Sequence, residues 1–207
     1  MSVMFNMFTG DDTPITITAG TPVVVDAGRT AGQVSAIIRY SDTQALAFWD
    51  SQGGGSTLYQ LALLTVSGTT ITVGTPTTIY NSGSSEEGNY GSIAQVTSNN
   101  FVVGYGTNKA MIVTVSGSSV AANTQIAITN ALDFVSVGQL DTSNAIVAYQ
   151  GTAPNYVAAR ILSVSGTTLT ANTEYAIDTN AAASVGVGTY ISASQYLARY
   201  TDGTNAK

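Results

Sequence analysis

The chain of 207 residues contains no cysteine and no histidine. Without cysteine it has no disulfide bonds, thiolate metal sites or cysteine nucleophiles, and its cellular compartment stays undetermined. Without histidine, serine-hydrolase triads, imidazole general bases and histidine metal sites are excluded. Because these two absences remove most common enzyme designs, we expect no catalytic residues, no metal and no cofactor.

Charge and long apolar runs are scarce as well. Only 9% of the residues are charged, and 6 basic against 12 acidic residues give a net charge of −6. The basic residues are scattered, whereas binding of nucleic-acid phosphates needs clustered Lys and Arg. No apolar stretch approaches the roughly 18 residues that span a bilayer. We therefore expect no nucleic-acid partner and no membrane contact.

The first residues do not have the features of a secretory signal. Met1–Phe8 is apolar, but a basic leader, a sufficiently long hydrophobic run and a small-residue cleavage site are missing. We interpret residues 1–14 as an N-terminal leader of the mature chain.

A repeat dominates what the sequence does contain. The phrase Val-Ser-Gly occurs at Val66–Gly68, Val115–Gly117 and Val164–Gly166, and its glycines are 49 residues apart both times. A period of about 20 to 50 residues built from short strands and turns is typical of solenoids and propellers. The sequence therefore predicts an all-β fold, a β-propeller-like repeat of four-stranded antiparallel blades with a period of 49 residues.

Each repeat divides into four predicted strands. The first begins at a serine and is crowded with small residues, which suits a strand near a central axis. The second ends in an aromatic residue and is apolar on both faces, as expected between stacked sheets. The third carries Val-Ser-Gly. The fourth is the most polar and is interrupted by Gly-Thr-Pro or Asn-Thr, so we predict that it lies outermost.

The repeat domain is predicted to span residues 15–207. Its parts are an outer strand at 15–25, full blades at 35–80, 92–128 and 136–177, and a partial blade at 184–207.

The two terminal fragments are complementary. Ile15–Val25 matches the fourth strand of the first full blade, with Gly20 at the position of Gly74. We expect it to pair with the sheet that contains Tyr196–Tyr200, in the same chain or in a neighbour. The third strand of that blade remains unassigned. Four arrangements therefore stay open: an imperfect ring of four blades, two chains forming a ring of about eight, part of a longer chain, and an open stack of sheets.

Few residues offer chemistry. The adjacent carboxylates Asp11-Asp12 and Glu86-Glu87 are the visible acid pairs. Neighbouring side chains in an extended chain point apart, whereas glycoside hydrolysis needs two acids facing each other across a cleft. We interpret both pairs as solvated loop acids. The polar segments before the second strands, such as Asp141–Asn144, are interpreted as Asx-type turns.

Two groups of residues are candidates for packing or ligand contact. The recurrent aromatics Trp49, Tyr105, Tyr149 and Tyr200 are predicted to pack between blades. Function is commonly added in loops on a rigid frame, and aromatic faces beside polar groups suit carbohydrate. The candidate ligand-contact loops contain Asp50, Gln52, Asn89, Tyr90, Asn155 and Tyr156.

The segment Thr65–Pro76, TVSGTTITVGTP, and its repeats resemble the propeller-type repeats of tailed-bacteriophage virion proteins, notably tail fibres and spikes, and of some bacterial surface proteins. The resemblance covers nearly the whole chain after Ile15. It implies a non-enzymatic virion component used for structure or host attachment, and it implies no functional residues, because the phrase contains none.

The partners expected on this reading are other virion proteins, further copies of the chain in a homo-oligomer, and a host-surface glycan. A secreted or surface-bound bacterial carbohydrate-binding propeller is the alternative, and a glycosidase ranks third.

Overall fold

The structure is a computed structural model that describes residues 22–25, 31–53, 56–83, 91–106, 108–152, 156–179, 184–192 and 195–201. Every regular element in these ranges is a β-strand, so the predicted all-β class is confirmed. The strands are β1 (Ala31–Arg39), β2 (Gln44–Gly53), β3 (Ser56–Ser67), β4 (Thr70–Val73), β5 (Thr77–Asn81), β6 (Ser92–Gln95), β7 (Asn100–Tyr105), β8 (Lys109–Ser116), β9 (Ser119–Ala127), β10 (Ala131–Gln139), β11 (Asn144–Gly151), β12 (Val157–Ser165), β13 (Thr168–Asp178), β14 (Ser184–Ser192) and β15 (Gln195–Thr201).

The strands form antiparallel sheets in chain order. Sheet 1 has the order β1-β2-β3-β4 with β5 also paired to β3, sheet 2 is β6-β7-β8-β9, sheet 3 is β10-β11-β12-β13, and sheet 4 is the hairpin β14-β15. The four predicted strands per repeat are thereby confirmed for sheets 1 to 3. In sheet 1 the fourth strand is split into β4 and β5, because Pro76 cannot donate to the ladder and interrupts the pairing with β3.

Local turn chemistry fixes these hairpins. Gly68, Gly117 and Gly166 have φ values of 58°, 60° and 57° between the third and fourth strands, the left-handed conformation that glycine adopts without strain. In the turn before β11, the Ser143 N–H donates to Asp141 Oδ1 at 2.6 Å. The predicted Asx-type turn is confirmed there.

The sheets stack face to face through alternating side chains of the second strands. Leu46 and Phe48 face sheet 2, whereas Ala47 and Trp49 face the opposite side of sheet 1. The predicted packing of the recurrent aromatics between sheets is confirmed for Tyr105 and Tyr149, which are both 0% exposed. Trp49 is 1% exposed and packs with residues of sheet 1 and Val25, so its packing between two sheets stays a prediction. The side chain of Tyr200 lies outside the described part of the chain.

Successive sheets also meet along their edges. The first strands contact one another in order, β1 with β6, β6 with β10 and β10 with β14. Ser92 Oγ accepts a hydrogen bond from the Val137 N–H at 2.9 Å and donates to the Val137 carbonyl at 3.2 Å. At the fourth strands, Thr77 Oγ1 donates to the Val120 carbonyl at 3.1 Å.

The described residues therefore form a stack of sheets, and closure into a propeller ring stays a prediction. Of the predicted outer strand Ile15–Val25, the structure describes only residues 22–25, and its pairing lies outside the described ranges.

Candidate functional site

The described candidate ligand-contact residues, Asp50, Gln52 and Tyr156, lie at one end of the sheets, where the second strands end and the third strands begin; we call it the loop end. Asp50 lies within β2 and is 2% exposed, so it is inside a strand and not on an open loop. Gln52 lies near the end of β2, opposite Thr57. Tyr156 directly precedes β12 and is half-buried. Outside the described residues lie Asn89, Tyr90 and Asn155.

A charged hydrogen-bond network surrounds Tyr156. The hydroxyl groups of Tyr149 and Tyr156 donate to the two carboxylate oxygens of Glu174 at 2.5 and 2.6 Å. Arg160 donates from Nη2 to Glu174 at 3.1 Å and from Nε to the Tyr149 hydroxyl at 2.9 Å. A further bond from Arg160 to the carbonyl of Thr129 reaches the connection between sheets 2 and 3. The network therefore joins four separate segments of the chain.

Strand register and a glycine place these groups. Arg160 lies directly opposite Glu174 in the β12–β13 ladder, next to a register shift before Leu162. A Cβ atom on Gly151 would lie 2.3 Å from the Tyr156 ring, so only glycine lets that ring lie against the backbone. Gly151 also donates its N–H to the Tyr156 carbonyl at 2.8 Å. Any larger residue at position 151 would displace Tyr156 from Glu174.

The electrostatics of the network favour an ionised Glu174. Burial alone would raise the pKa of Glu174, but hydrogen bonds from Tyr149, Tyr156 and Arg160 outweigh burial and hold this pKa below its usual value. Burial, together with the hydrogen bond to Glu174, raises the pKa of Tyr149 well above its usual value. At neutral pH the network thus contains a carboxylate, a guanidinium and two neutral phenols.

This arrangement suits structure better than acid catalysis. A general acid needs a pKa raised toward neutrality, whereas the pKa of Glu174 is lowered. Its carboxylate oxygens are already engaged by three donors.

In the described ranges no group of three or more His, Cys, Asp and Glu residues could hold a metal ion. Within the same ranges, no helix has the length and apolar character needed to cross a membrane.

Sheet 2 contains an uncharged version of the same contact. Tyr105, the counterpart of Tyr149, donates its hydroxyl to Gln125 at 3.0 Å, and Gln125 lies opposite Met111 as Glu174 lies opposite Arg160. The recurring element is a bond between a tyrosine on the second strand and an amide or carboxylate on the fourth. It ties three adjacent strands together at the loop end.

Sheet 1 departs from this pattern. Its second strand carries Trp49 in place of the tyrosine, and the position equivalent to Gln125, eight residues after the turn glycine, is Pro76. Proline offers no side-chain acceptor, and the buried Nε1 of Trp49 has no hydrogen-bond partner among the described residues.

A second cluster at the loop end lies between sheets 1 and 2. The ring centroids of Tyr59 and Tyr105 are 5.2 Å apart, and those of Tyr80 and Tyr105 are 5.7 Å apart. Lys109 Nζ lies 4.6 Å from the centroid of the Tyr80 ring, within the range of a cation–π contact. Tyr80, Lys109 and Tyr156 are half-buried, so each combines packing with access to solvent.

Sequence reasoning missed most of these residues. The sequence did contain a signal for the acceptors Gln125 and Glu174. Both stand eight residues after a turn glycine, and both follow a second strand that ends in tyrosine. Nothing comparable marks Tyr59 and Tyr80, which are cross-strand partners in sheet 1, or Lys109, which meets Tyr80 only when sheets 1 and 2 pack.

Comparisons with known proteins leave the chain without an assigned family. No family model matches it, and a search of curated proteins finds no relative.

Proposed function

We propose that this chain is a non-enzymatic structural protein of a bacteriophage virion, a tail-fibre or host-attachment component that contacts a host-surface glycan through the loop end. The observation that carries the proposal is that the chemically reactive side chains form hydrogen bonds and an ion pair with one another inside the fold. Glu174, Arg160 and Tyr149 bond to one another across three strands, which leaves them unsuited to turning over a substrate.

Further support comes from the way polar side chains reinforce the sheets. Thr114 Oγ1 donates to Asn100 Oδ1 at 2.9 Å and accepts from Asn123 Nδ2 at 2.9 Å. Sheet 3 repeats this ladder with Asn144, Ser163 and Asn172. Asn100 also donates to the Gly166 carbonyl of sheet 3 at 3.0 Å. A frame tied within and between sheets without disulfides suits a particle component that must keep its shape outside the cell.

The loop end is the proposed contact surface. Half-buried aromatic rings beside polar groups are the usual platforms for sugars, because the ring faces pack on C–H groups while neighbours bond the hydroxyls. Tyr80 with Lys109, and Tyr156 with Glu174, provide this combination on neighbouring sheet pairs. The same surface would suit a bacterial carbohydrate-binding protein, and location of the protein distinguishes these two functions.

The test is to locate the protein. Virions of the phage that encodes the chain are purified by density gradient, and their proteins are identified by peptide mass spectrometry. We expect the chain in the virions, with an antibody against it labelling tail fibres in electron micrographs. Its absence from virions, its presence on the surface of uninfected bacteria, or cleavage of host glycans by the purified chain would each contradict the proposal.

A further inference from the structure

Sheet 3 exposes an apolar face that its counterparts in sheets 1 and 2 bury. In sheet 3 this face carries Tyr175 and Ile177 on β13, which are 58% and 50% exposed. The equivalent residues of sheet 2 are Ile126 and Ile128, and both pack in the cluster between sheets 2 and 3. In sheet 1, Ile79 packs in the same way against sheet 2. The repeat therefore predicts that a following sheet covers Tyr175 and Ile177.

The third strand repeats this contrast. Ile161 of sheet 3 is only half-buried, whereas its equivalents Ile112 and Leu63 are 0% and 2% exposed. The exposed region thus extends over β12 and β13. Sheet 4 lies next to sheet 3 through the contacts of β14 with β10 and β11, but its described residues form only a first and a second strand. A third and a fourth strand beside β15 would cover the exposed region.

The sequence around residues 22–25 aligns with a fourth strand. With Gly20 aligned to Gly74, Val25 is the equivalent of Ile79, Ile128 and Ile177. Val25 is 9% exposed and packs in the cluster with Ala47, Trp49, Ala62 and Leu64, on the face of sheet 1 that points away from sheet 2. It contacts sheet 1 as Ile79 contacts sheet 2. Val25 therefore contacts sheet 1 as the outer strand of a preceding sheet would.

The preceding residues have the sequence pattern of a third strand. Val3–Phe8 has five apolar residues among six, as apolar as the third strands, and it is followed by Thr9-Gly10 where the repeats have Ser-Gly. Four further residues then lead to Ile15, the start of the sequence that matches the fourth strand. Residues 3–25 thus carry, in order, the sequence patterns of a third and a fourth strand, the two that the described part of sheet 4 does not include.

We infer that residues 3–25 of the same chain complete sheet 4, cover Tyr175 and Ile177, and close the four sheets into a ring. Val25 is already bound to sheet 1 of its own chain, so the residues joined to it are held near that sheet at a high effective concentration. In a ring of four sheets, the sheet before sheet 1 is also the sheet after sheet 3. Residues 3–25 then pack against both the face of sheet 1 that holds Val25 and the face of sheet 3 that carries Tyr175 and Ile177. The edge of β15 is paired with a strand instead of being open.

Chemical cross-linking in the full chain tests this arrangement. Thr77 and Val120 touch across sheets 1 and 2, and the equivalent pair across sheets 3 and 4 is Tyr175 and Ile17. Because the chain has no cysteine, the double variant Ile17→Cys/Tyr175→Cys has a single reactive pair for a short bismaleimide. The positive control is Thr77→Cys/Val120→Cys. The negative control pairs Ile17→Cys with Thr167→Cys, an exposed turn position at the other end of sheet 3.

We expect an intramolecular cross-link in the Ile17/Tyr175 variant at a rate similar to that of the positive control, and none in the negative control. A cross-linked dimer would overturn the inference, because a second copy would then cover the face. Absence of the cross-link in a chain whose positive control reacts would overturn it as well. In the unmodified chain, amide hydrogen exchange at residues 15–21 should be protected, and exchange at unfolded rates would refute the inference without any substitution.

Discussion

Sheet 2 carries Met111 and Gln125 where sheet 3 carries Arg160 and Glu174, so two substitutions give sheet 3 the residues of sheet 2. Either single change, Arg160→Met or Glu174→Gln, leaves a largely buried charge without its partner. The double variant Arg160→Met/Glu174→Gln restores a neutral contact of the kind that Tyr105 makes with Gln125. We therefore expect the single variants to be destabilised and the double variant to recover most of the loss.

The magnitude follows from burial. Removing one partner of a fully buried ion pair costs about 3–5 kcal/mol, and replacing the whole pair by neutral residues is often near neutral. The side chains of Arg160 and Glu174 keep 15% and 21% exposure, so water offsets part of the cost. We expect each single variant to lose about 2 kcal/mol of unfolding free energy, and the double variant to lie within about 1 kcal/mol of wild type. The coupling energy is then about 3 kcal/mol.

The assay is urea denaturation at pH 7, monitored by circular dichroism. The unfolding free energies of wild type, the two single variants and the double variant are compared once their m-values are shown to be equal. The matched control is the exposed pair of Arg39 and Asp42, whose side chains are 75% and 90% exposed. The same cycle on that pair should give no measurable coupling, because exposed ion pairs contribute little. Additive losses at Arg160 and Glu174 would refute the view that these residues act as one structural unit.

Three further predictions concern other parts of the account. The pKa of Glu174 is lowered in the folded state, so the unfolding free energy of wild type should exceed that of Glu174→Gln by its full amount above the usual glutamate pKa of about 4.3. This difference should disappear as the pH falls through the folded-state pKa, and a difference that grows toward low pH would contradict the prediction. Ser92→Ala leaves the Val137 N–H without its acceptor and should cost about 1–3 kcal/mol, whereas the exposed Ser119→Ala should cost nothing measurable in the same denaturation assay. Trp49, the single tryptophan, is 1% exposed, so its fluorescence should resist iodide quenching until the chain unfolds, and strong quenching in the native protein would contradict the packing on sheet 1.

The strands were predictable because local signals set them. Val-Ser-Gly ends each third strand, and the glycine adopts the positive φ that the turn requires. Pro76 predicts the interruption that separates β4 from β5. These features depend on residues close together in sequence, so the repeat alone was enough to find them.

The contact between Arg160 and Glu174 was not predictable in the same way. Continuing the pairing of Ser165 with Thr168 without interruption would place Arg160 opposite Thr173, and Glu174 would face the other side of the sheet. A register shift between Arg160 and Leu162 moves Glu174 by one residue onto the face of Tyr149. One sequence mark accompanies this shift: Asn172 and its equivalent Asn123 each bond a hydroxyl on the third strand.

Of the candidate ligand-contact residues, Asp50, Gln52 and Tyr156 belong to the described part of the chain. The half-buried position of Tyr156 depends on packing between sheets 2 and 3, which sequence spacing does not reveal. Asn89, Tyr90 and Asn155 lie outside the described residues and stay predicted contacts.

Competition for phage adsorption tests the proposed attachment function most directly. Host cells are incubated with the purified chain before phage is added, and free phage is counted. Tyr156 is left unchanged because it supports Glu174. The loop variant is Asn89→Ala/Tyr90→Ala/Asn155→Ala, and the matched control is Thr69→Ala/Ser118→Ala/Thr167→Ala at the exposed turns of the opposite end. We expect wild type and control to reduce adsorption, whereas the equally stable loop variant does not. No reduction by wild type, or equal reduction by the loop variant, would contradict the proposed attachment function.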